Sequence, residues 1–382
     1  MKSALAIIFH SCSFIAVVTA APVHNFERVF APTPGTSGTV ALALAYGNQT
    51  FYALGYGQLG RVSADGGYNW GGGIGGISVD TGARDSIVGL ANGIVVYRRG
   101  QTFQSLLGWQ ANRVALGNGI FMAAGLRWPQ DAGFPSAEYD WVSLDGRTWR
   151  NQGRLPYLTV ADLIFRDGYF YFLGADPLSN NTKFQMYRTP DSTTPWTKVY
   201  ETPVPSLGGH TVSEHRMKYS EGEFTAVCSG FIATSTNGTD WKSHPQPLGS
   251  PICAAVRIKD GYLAAGRRGF FFSPNLTNWT ILKSDWFVDL VYAEGTALAL
   301  GHNAEIYRCN YEPHLSARTE GDDLVLQVFA TAPDRYVIER KDSLIGSDWT
   351  KIDEISDLRV RSQKRITNFR TASSAYYRLK KI

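Results

Sequence analysis

The sequence predicts an all-β protein: a seven-bladed β-propeller, with six blades also compatible, followed by a small C-terminal β-sandwich. Three observations carry that expectation. Glycine and aromatic residues are abundant (39 Gly, 20 Phe, 19 Tyr and 10 Trp) and apolar spacing of three and four is scarce, which suits sheet rather than helix. A four-stranded unit recurs along the chain. Near residue 312 the recurrence stops and a different strand rhythm begins.

At the start of the chain, Lys2 precedes an apolar run from Ala4 to Val18 that ends in Val18-Thr19-Ala20-Ala21. Small residues in that place suit a signal peptidase, so residues 1–20 are expected to be a signal peptide cleaved near Ala20. The run is short for a membrane span and no second apolar stretch of about 20 residues follows it. A secreted protein, extracellular or periplasmic and not membrane-spanning, is the expectation. Cys12 leaves with the signal peptide, and Cys228, Cys253 and Cys309 remain, an odd number for an oxidising compartment. They read either as small buried hydrophobes or as a Cys228–Cys253 disulfide plus one thiol. Their spacing matches no metal motif, and neither a metal nor a cofactor is expected.

The repeat is plainest from Leu42 to Trp70: an alternating strand, a turn, a second strand from Phe51 to Gly55, a third reaching Ser63, and a hairpin that delivers Trp70. The same order returns from Arg113 to Trp149, Asp162 to Trp196, Arg216 to Trp241 and Ala254 to Trp279. Asp289 to Gly301 opens a unit without its own last strand, and Ser86 to Gly100 reads as a degraded copy, which makes seven. Gly119, Gly168, Gly222, Gly261 and Gly295 fall in the first hairpin turn, where positive φ is expected. The Ser-x-Asp/Asn-Gly hairpins let a side chain bond the turn backbone, and the Trp that follows can pack between units. The last unit lacks a fourth strand and residues 24–30 lack a unit. Pairing the two closes the ring and removes the open sheet edges of a linear array.

Ser63-Ala64-Asp65-Gly66-Gly67-Tyr68-Asn69-Trp70 resembles the Asp-box of the sialidase-like β-propeller superfamily. The shorter Ser-Leu-Asp-Gly-Arg-Thr-Trp, with its preceding strand pair, is similar to bacterial repeats related to photosystem II assembly factors. The resemblance covers about residues 25 to 312 and implies the propeller fold. It leaves function open, because that superfamily contains glycosidases, lyases, assembly factors and binding proteins. Sialidases of the group carry an early Arg-Ile-Pro-like motif that this chain lacks.

A propeller site is expected at the mouth of the central channel, where the innermost strands begin. The candidates there are Asp85, Arg113, Asp162, His215, Arg216 and Asp289, a mixture able to bind a sugar or a cation or to supply an acid/base pair. An insertion from Leu126 to Asp140 carries Trp128, Phe134 and Tyr139, aromatic residues suited to stacking on sugar rings. Gly71 to Gly76 formally contains GxGxxG but follows a hairpin Trp and leads into no helix, so a loop between blades is expected instead of a phosphate site.

From about residue 313 the strands Leu324 to Ala330, Arg335 to Lys341, Trp349 to Ile352, Leu358 to Ile366 and the terminal AYYRLKKI are similar to the fibronectin-III-like modules of bacterial secreted proteins. Between Leu358 and Ile382 there are eight Lys/Arg and no Asp or Glu. That patch suits contact with an acidic polymer or envelope, or a charged edge strand that resists aggregation. Nucleic acid is not an expected partner of an exported protein. Two functions remain: a non-enzymatic binding or interaction propeller for a glycan or protein, or a carbohydrate-active hydrolase or lyase with its site at the channel mouth.

Overall fold

A computed structural model describes residues 7–10, 15–16, 25–32, 41–127, 138–203, 215–310 and the strands within 314–381, apart from short stretches inside these ranges. It divides into two compact units. One comprises Arg28–Ala293 with Ala297–Arg308; the other comprises Met1–Glu27, Glu294–Thr296 and Cys309–Ile382.

The first unit is the seven-bladed propeller that the repeats predict, and the described residues contain no helix. Each blade is a four-stranded antiparallel meander: residues 41–72, 78–106, 109–154, 159–203, 217–245 and 252–283 form blades 1 to 6. Blade 7 joins Phe287–Ala293, Thr296–Gly301 and Ile306–Asn310 to Asn25–Phe30 as its fourth strand. Chain closure therefore follows the expectation. Val29 and Phe30 pack on a cluster containing Leu44, Phe51, Leu298 and Leu300, so apolar burial joins the first and last blades.

The local chemistry of the repeat explains the blades. Asn118-Gly119, Asp167-Gly168 and Glu221-Gly222 all have positive φ at both residues, the turn whose twist matches two-residue hairpins. Gly261 departs from the expectation, since its φ is not positive. A Cβ there would lie 2.4 Å from the Ser273 carbonyl oxygen, so close backbone approach is what requires glycine. In the outer hairpins, Ser143 Oγ accepts the Gly146 N–H at 2.8 Å while Asp145 Oδ1 accepts those of Arg147 and Thr148. Ser235 with Asn237 and Ser273 with Asn275 form similar side-chain-closed turns. The Trp after the turn links neighbouring blades: Trp196 of blade 4 donates from Nε1 to Asp140 Oδ2 of blade 3 at 3.1 Å, and Trp70 of blade 1 packs against a cluster shared by blades 1 and 7.

Blade 2 corrects the sequence reading by one strand. Its innermost strand is Ser78–Thr81, followed by Asp85–Leu90, Gly93–Arg98 and Gln101–Leu106. The strand pair Asp85–Leu90 and Gly93–Arg98, taken from the sequence as the first of the unit, is the second. The true inner strand has four residues behind a glycine-rich stretch, too short for a periodic signal. Part of that stretch, Gly71–Gly72, is the outer strand of blade 1. Among the described residues Cys228, Cys253 and Cys309 form no disulfide and are buried in strands, in keeping with the first of the two cysteine readings. Burial pushes the Cys228 thiol well above its usual range.

The second unit contains a three-stranded sheet, His314–Glu320, Asp323–Phe329 and Ser362–Ile366. Its other sheet is ordered Ile15–Ala16, Ile7–His10, Ser374–Lys381, Tyr336–Lys341, Thr350–Ile355. Residues 7–10 lie inside the segment read as a signal peptide, yet in the full chain they pair antiparallel with the last strand, Ile8 opposite Tyr376.

Candidate functional site

The innermost strands enclose a cavity of about 260 Å³, lined from blades 1, 2, 3, 4, 5 and 7. Several of these strands carry a register break near their start, at Ala41/Ala43, Ala111/Arg113, Val160/Asp162 and Ile252/Ala254. Such bulges re-aim the next side chain, and in blades 3 and 4 the re-aimed residues are Arg113 and Asp162, which line the cavity.

Of the six predicted candidates, four converge here: Arg113, Asp162, Arg216 and Asp289. They are occupied with one another and with the backbone. Arg113 Nε lies 3.4 Å from Asp162 Oδ1 and donates to the Ala161 carbonyl, while its Nη1 donates to that of Asn112. Asp162 Oδ2 accepts the Met217 N–H of blade 5 at 2.7 Å. Asp289 repeats the device, accepting the Leu44 N–H of blade 1 at 2.7 Å. Lys218 Nζ stands 2.8 Å from Asp289 Oδ1, and Arg216 Nε 4.0 Å from Oδ2. Arg216 Nη2 also donates to the Leu42 carbonyl across the channel. All four are nearly inaccessible, with Asp289 at 0% and Arg113 at 4% exposure. These aspartates are inter-blade braces.

The other two candidates are corrected. His215 is buried with its ring edge-on to Phe184 at 4.9 Å, in the blade core and not in the cavity lining. Its neighbour Arg216, just ahead of the inner strand Met217–Ser220, takes the channel-facing place. Asp85 begins the second strand of blade 2, where Arg98 Nε lies 3.8 Å away, as the shifted strand assignment requires. Among the aromatic candidates, Trp128 and Phe134 lie outside the described residues. Tyr139 sits in the third strand of blade 3, opposite Gly125 and Arg154, not in a projecting loop.

The residue that sequence reasoning missed is Asp80, on the inner strand of blade 2. Its Oδ1 accepts the N–H of Thr81 and its Oδ2 that of Leu116 in blade 3, both at 2.8 Å. Ser78, two residues earlier, accepts the Val114 N–H as Asp162 and Asp289 do in their blades. Asp80 thus stands one step deeper along the channel. Among the described residues no cation lies within ion-pair distance of it. Enclosure by the channel walls pushes its carboxyl up to about 7, against two lowering backbone hydrogen bonds, with the Asp162 charge adding to the rise. The signal available was Val79-Asp80, which parallels Val288-Asp289 at the head of another inner strand.

Repeated blades, ring closure and an enclosed polar channel define the class: a seven-bladed β-propeller. No family model matches the chain, and no curated protein matches it. Among solved structures, the extracellular domain of a putative one-component system from B. thetaiotaomicron is similar at 13% identity and a TM-score of 0.53, over 86% of this chain and 48% of that one. The extracellular domain of a putative hybrid two-component system from the same organism is similar at 13% identity and 0.54, over 87% and 47%. A structure of YCF48 bound to D1 peptide is matched at 14% identity and 0.40, over 79% and 93%. At these identities the likeness is one of fold. The chain spans about half the length of the two B. thetaiotaomicron chains.

Proposed function

We propose that the protein is a secreted, non-enzymatic recognition propeller whose partner is a glycan or a protein. One observation carries this reading: the channel-mouth charges expected to do chemistry are spent on bracing, Asp162 with Arg113 and Asp289 with Lys218 and Arg216. A carboxylate locked to a guanidinium and to two backbone N–H groups is a poor acid or base, because giving up or taking a proton would break those bonds. In the same reading residues 1–20 direct export, the C-terminal module of fibronectin-III-like type is a spacer or attachment domain, and its basic last strands lie against an acidic polymer or envelope. Membership of the sialidase-like superfamily belongs to this proposal too.

The second reading, a carbohydrate-active enzyme, has one observation in its favour. Asp80, with its carboxyl raised to about 7, shares the cavity with Asp162, and enzymes that cleave sugars set one raised carboxyl beside an ionised one. Screening the purified protein on a glycan array, then analysing each hit for cleavage by mass spectrometry, separates the two. Binding without cleavage is expected. Cleavage that disappears in Asp80→Asn would replace the recognition reading with the enzymatic one.

A further inference from the structure

We propose that the channel cavity is a binding site for a primary ammonium group, held against the carboxylate of Asp80. The inference deepens the recognition reading by naming the ligand chemistry, and it rests on that reading.

Most charges in the cavity already have partners. Arg113 serves Asp162, and both Arg216 and Lys218 serve Asp289. Lys218 Nζ makes a third contact, with the Leu44 carbonyl at 3.3 Å, so its donors are committed away from Asp80. From the strands around the channel, the titratable and charged groups facing Asp80 are Tyr46, Arg113, Asp162, Arg166, Arg216, Lys218, Tyr219 and Asp289, of which Arg166 pairs with Asp167 at 3.3 Å and lies over the Tyr219 ring. None of the four cations among them lies within ion-pair distance of the Asp80 carboxylate.

The carboxylate is prepared for a donor all the same. An ionised carboxylate offers about four lone-pair positions, and the N–H groups of Thr81 and Leu116 take one on each oxygen. One position on each oxygen remains. Because two backbone bonds fix the side chain, little ordering is left to do on binding. Asp80 borders the cavity of about 260 Å³, enough for an alkylammonium or a single sugar ring but under the range of roughly 300–1,000 Å³ usual for larger ligands. A guanidinium is a worse match, since its planar fork seeks both oxygens side by side. A compact ammonium with three donors suits the geometry.

The proton competes for the same carboxylate. Its raised titration means that an ammonium ligand must displace a proton below about pH 7 and meets a ready anion above it.

The test is isothermal titration of the full-length chain with n-butylamine at pH 7.5 and pH 5.5, with n-butanol as the neutral analogue. Nα-acetyl-lysine amide and glucosamine then stand for the two sources of such a group, a peptide and an amino sugar. Expected are binding of n-butylamine at pH 7.5, weakening of about tenfold or more at pH 5.5, a comparable loss in Asp80→Asn, and no binding of n-butanol. Tighter binding of either source compound would support the site and assign its source. Equal binding of amine and alcohol, or no pH dependence in the unaltered protein, would overturn the inference; neither needs a variant that folds. Glycan or protein capture that ignores ammonium would overturn it while sparing the recognition reading, whereas glycan cleavage removes that reading itself.

Discussion

Blades 4 and 2 both send an aspartate into the channel, and the two carboxylates end in different circumstances. Blade 4 has the register break, a long inner strand and the packed Trp196; its Asp162 is 7% exposed and faces Arg113. Blade 2 has a four-residue inner strand without a break, and Asp80 meets backbone N–H groups but no cation. Both accept an N–H from the next blade, so both help to hold neighbouring blades together. Only the regular blade adds the counter-charge. A repeat can keep its bracing hydrogen bond while varying the charge balance of one blade, and that blade is where a ligand has something left to bind.

The strongest way to break this comparison is Asp162→Ala. It removes the acceptor of the Met217 and Leu163 N–H groups and leaves a buried guanidinium without its carboxylate. Breaking a buried pair from one side costs about 3–5 kcal/mol, which urea unfolding monitored by tryptophan fluorescence would register as a lower midpoint. Replacing both members by apolar residues, Arg113→Met with Asp162→Leu, is expected to restore much of the loss. If Asp162→Ala cost under about 1 kcal/mol, the brace would be ornamental and the contrast with blade 2 would vanish.

How far the sequence allowed this to be foreseen differs between the same two blades. Blades 1 and 3 to 7 were legible because hairpin glycines, terminal Trp residues and alternating strands all repeat. The closing strand was legible because one unit lacked a strand and one segment lacked a unit. Four of the channel residues followed from that register: Arg113, Asp162, Arg216 and Asp289. Blade 2 was not, since Ser78–Thr81 is too short for periodicity and the Asn92-Gly93 turn imitates a first hairpin. The one-strand slip put Asp85 in place of Asp80. His215 failed for a different reason: it and Arg216 lie just ahead of the inner strand Met217–Ser220, and sequence alone did not say which of the two faced the channel.

A smaller effect sharpens the comparison from the side of blade 2. The Asp80 carboxyl titrates near 7 in the folded protein, against about 4 for an aspartate in an unfolded chain. Between those values the folded state holds a proton that the unfolded state has released, so stability falls as pH rises from about 4 to 7 and levels off above. Asp80→Asn keeps the size and removes the charge. Because the amide can accept only one of the two backbone N–H groups, a constant loss is common to both pH values. Judged by melting temperature, the variant is expected to be more favourable at pH 8 than at pH 4 by roughly 1–2 kcal/mol, discounted because the carboxylate meets the cavity. An effect of the same size at both values would show that the carboxylate already has a counter-charge in the folded protein, and blade 2 would then resemble blade 4.

The smallest effect concerns the turns that both kinds of blade share. Gly119 has φ +74 and no atom within 4 Å of the place a Cβ would take, so Gly119→Ala tests backbone conformation without any clash. Left-handed backbone in a non-glycine residue costs about 1 kcal/mol, and a partial offset comes from the stiffer unfolded chain. Thermal unfolding of Gly119→Ala should therefore show a loss near or below that figure. A loss several times larger would mean that the first hairpin of blade 3 does more than reverse the chain. The braces in the channel would then have to share with these turns the role of setting where each inner strand begins.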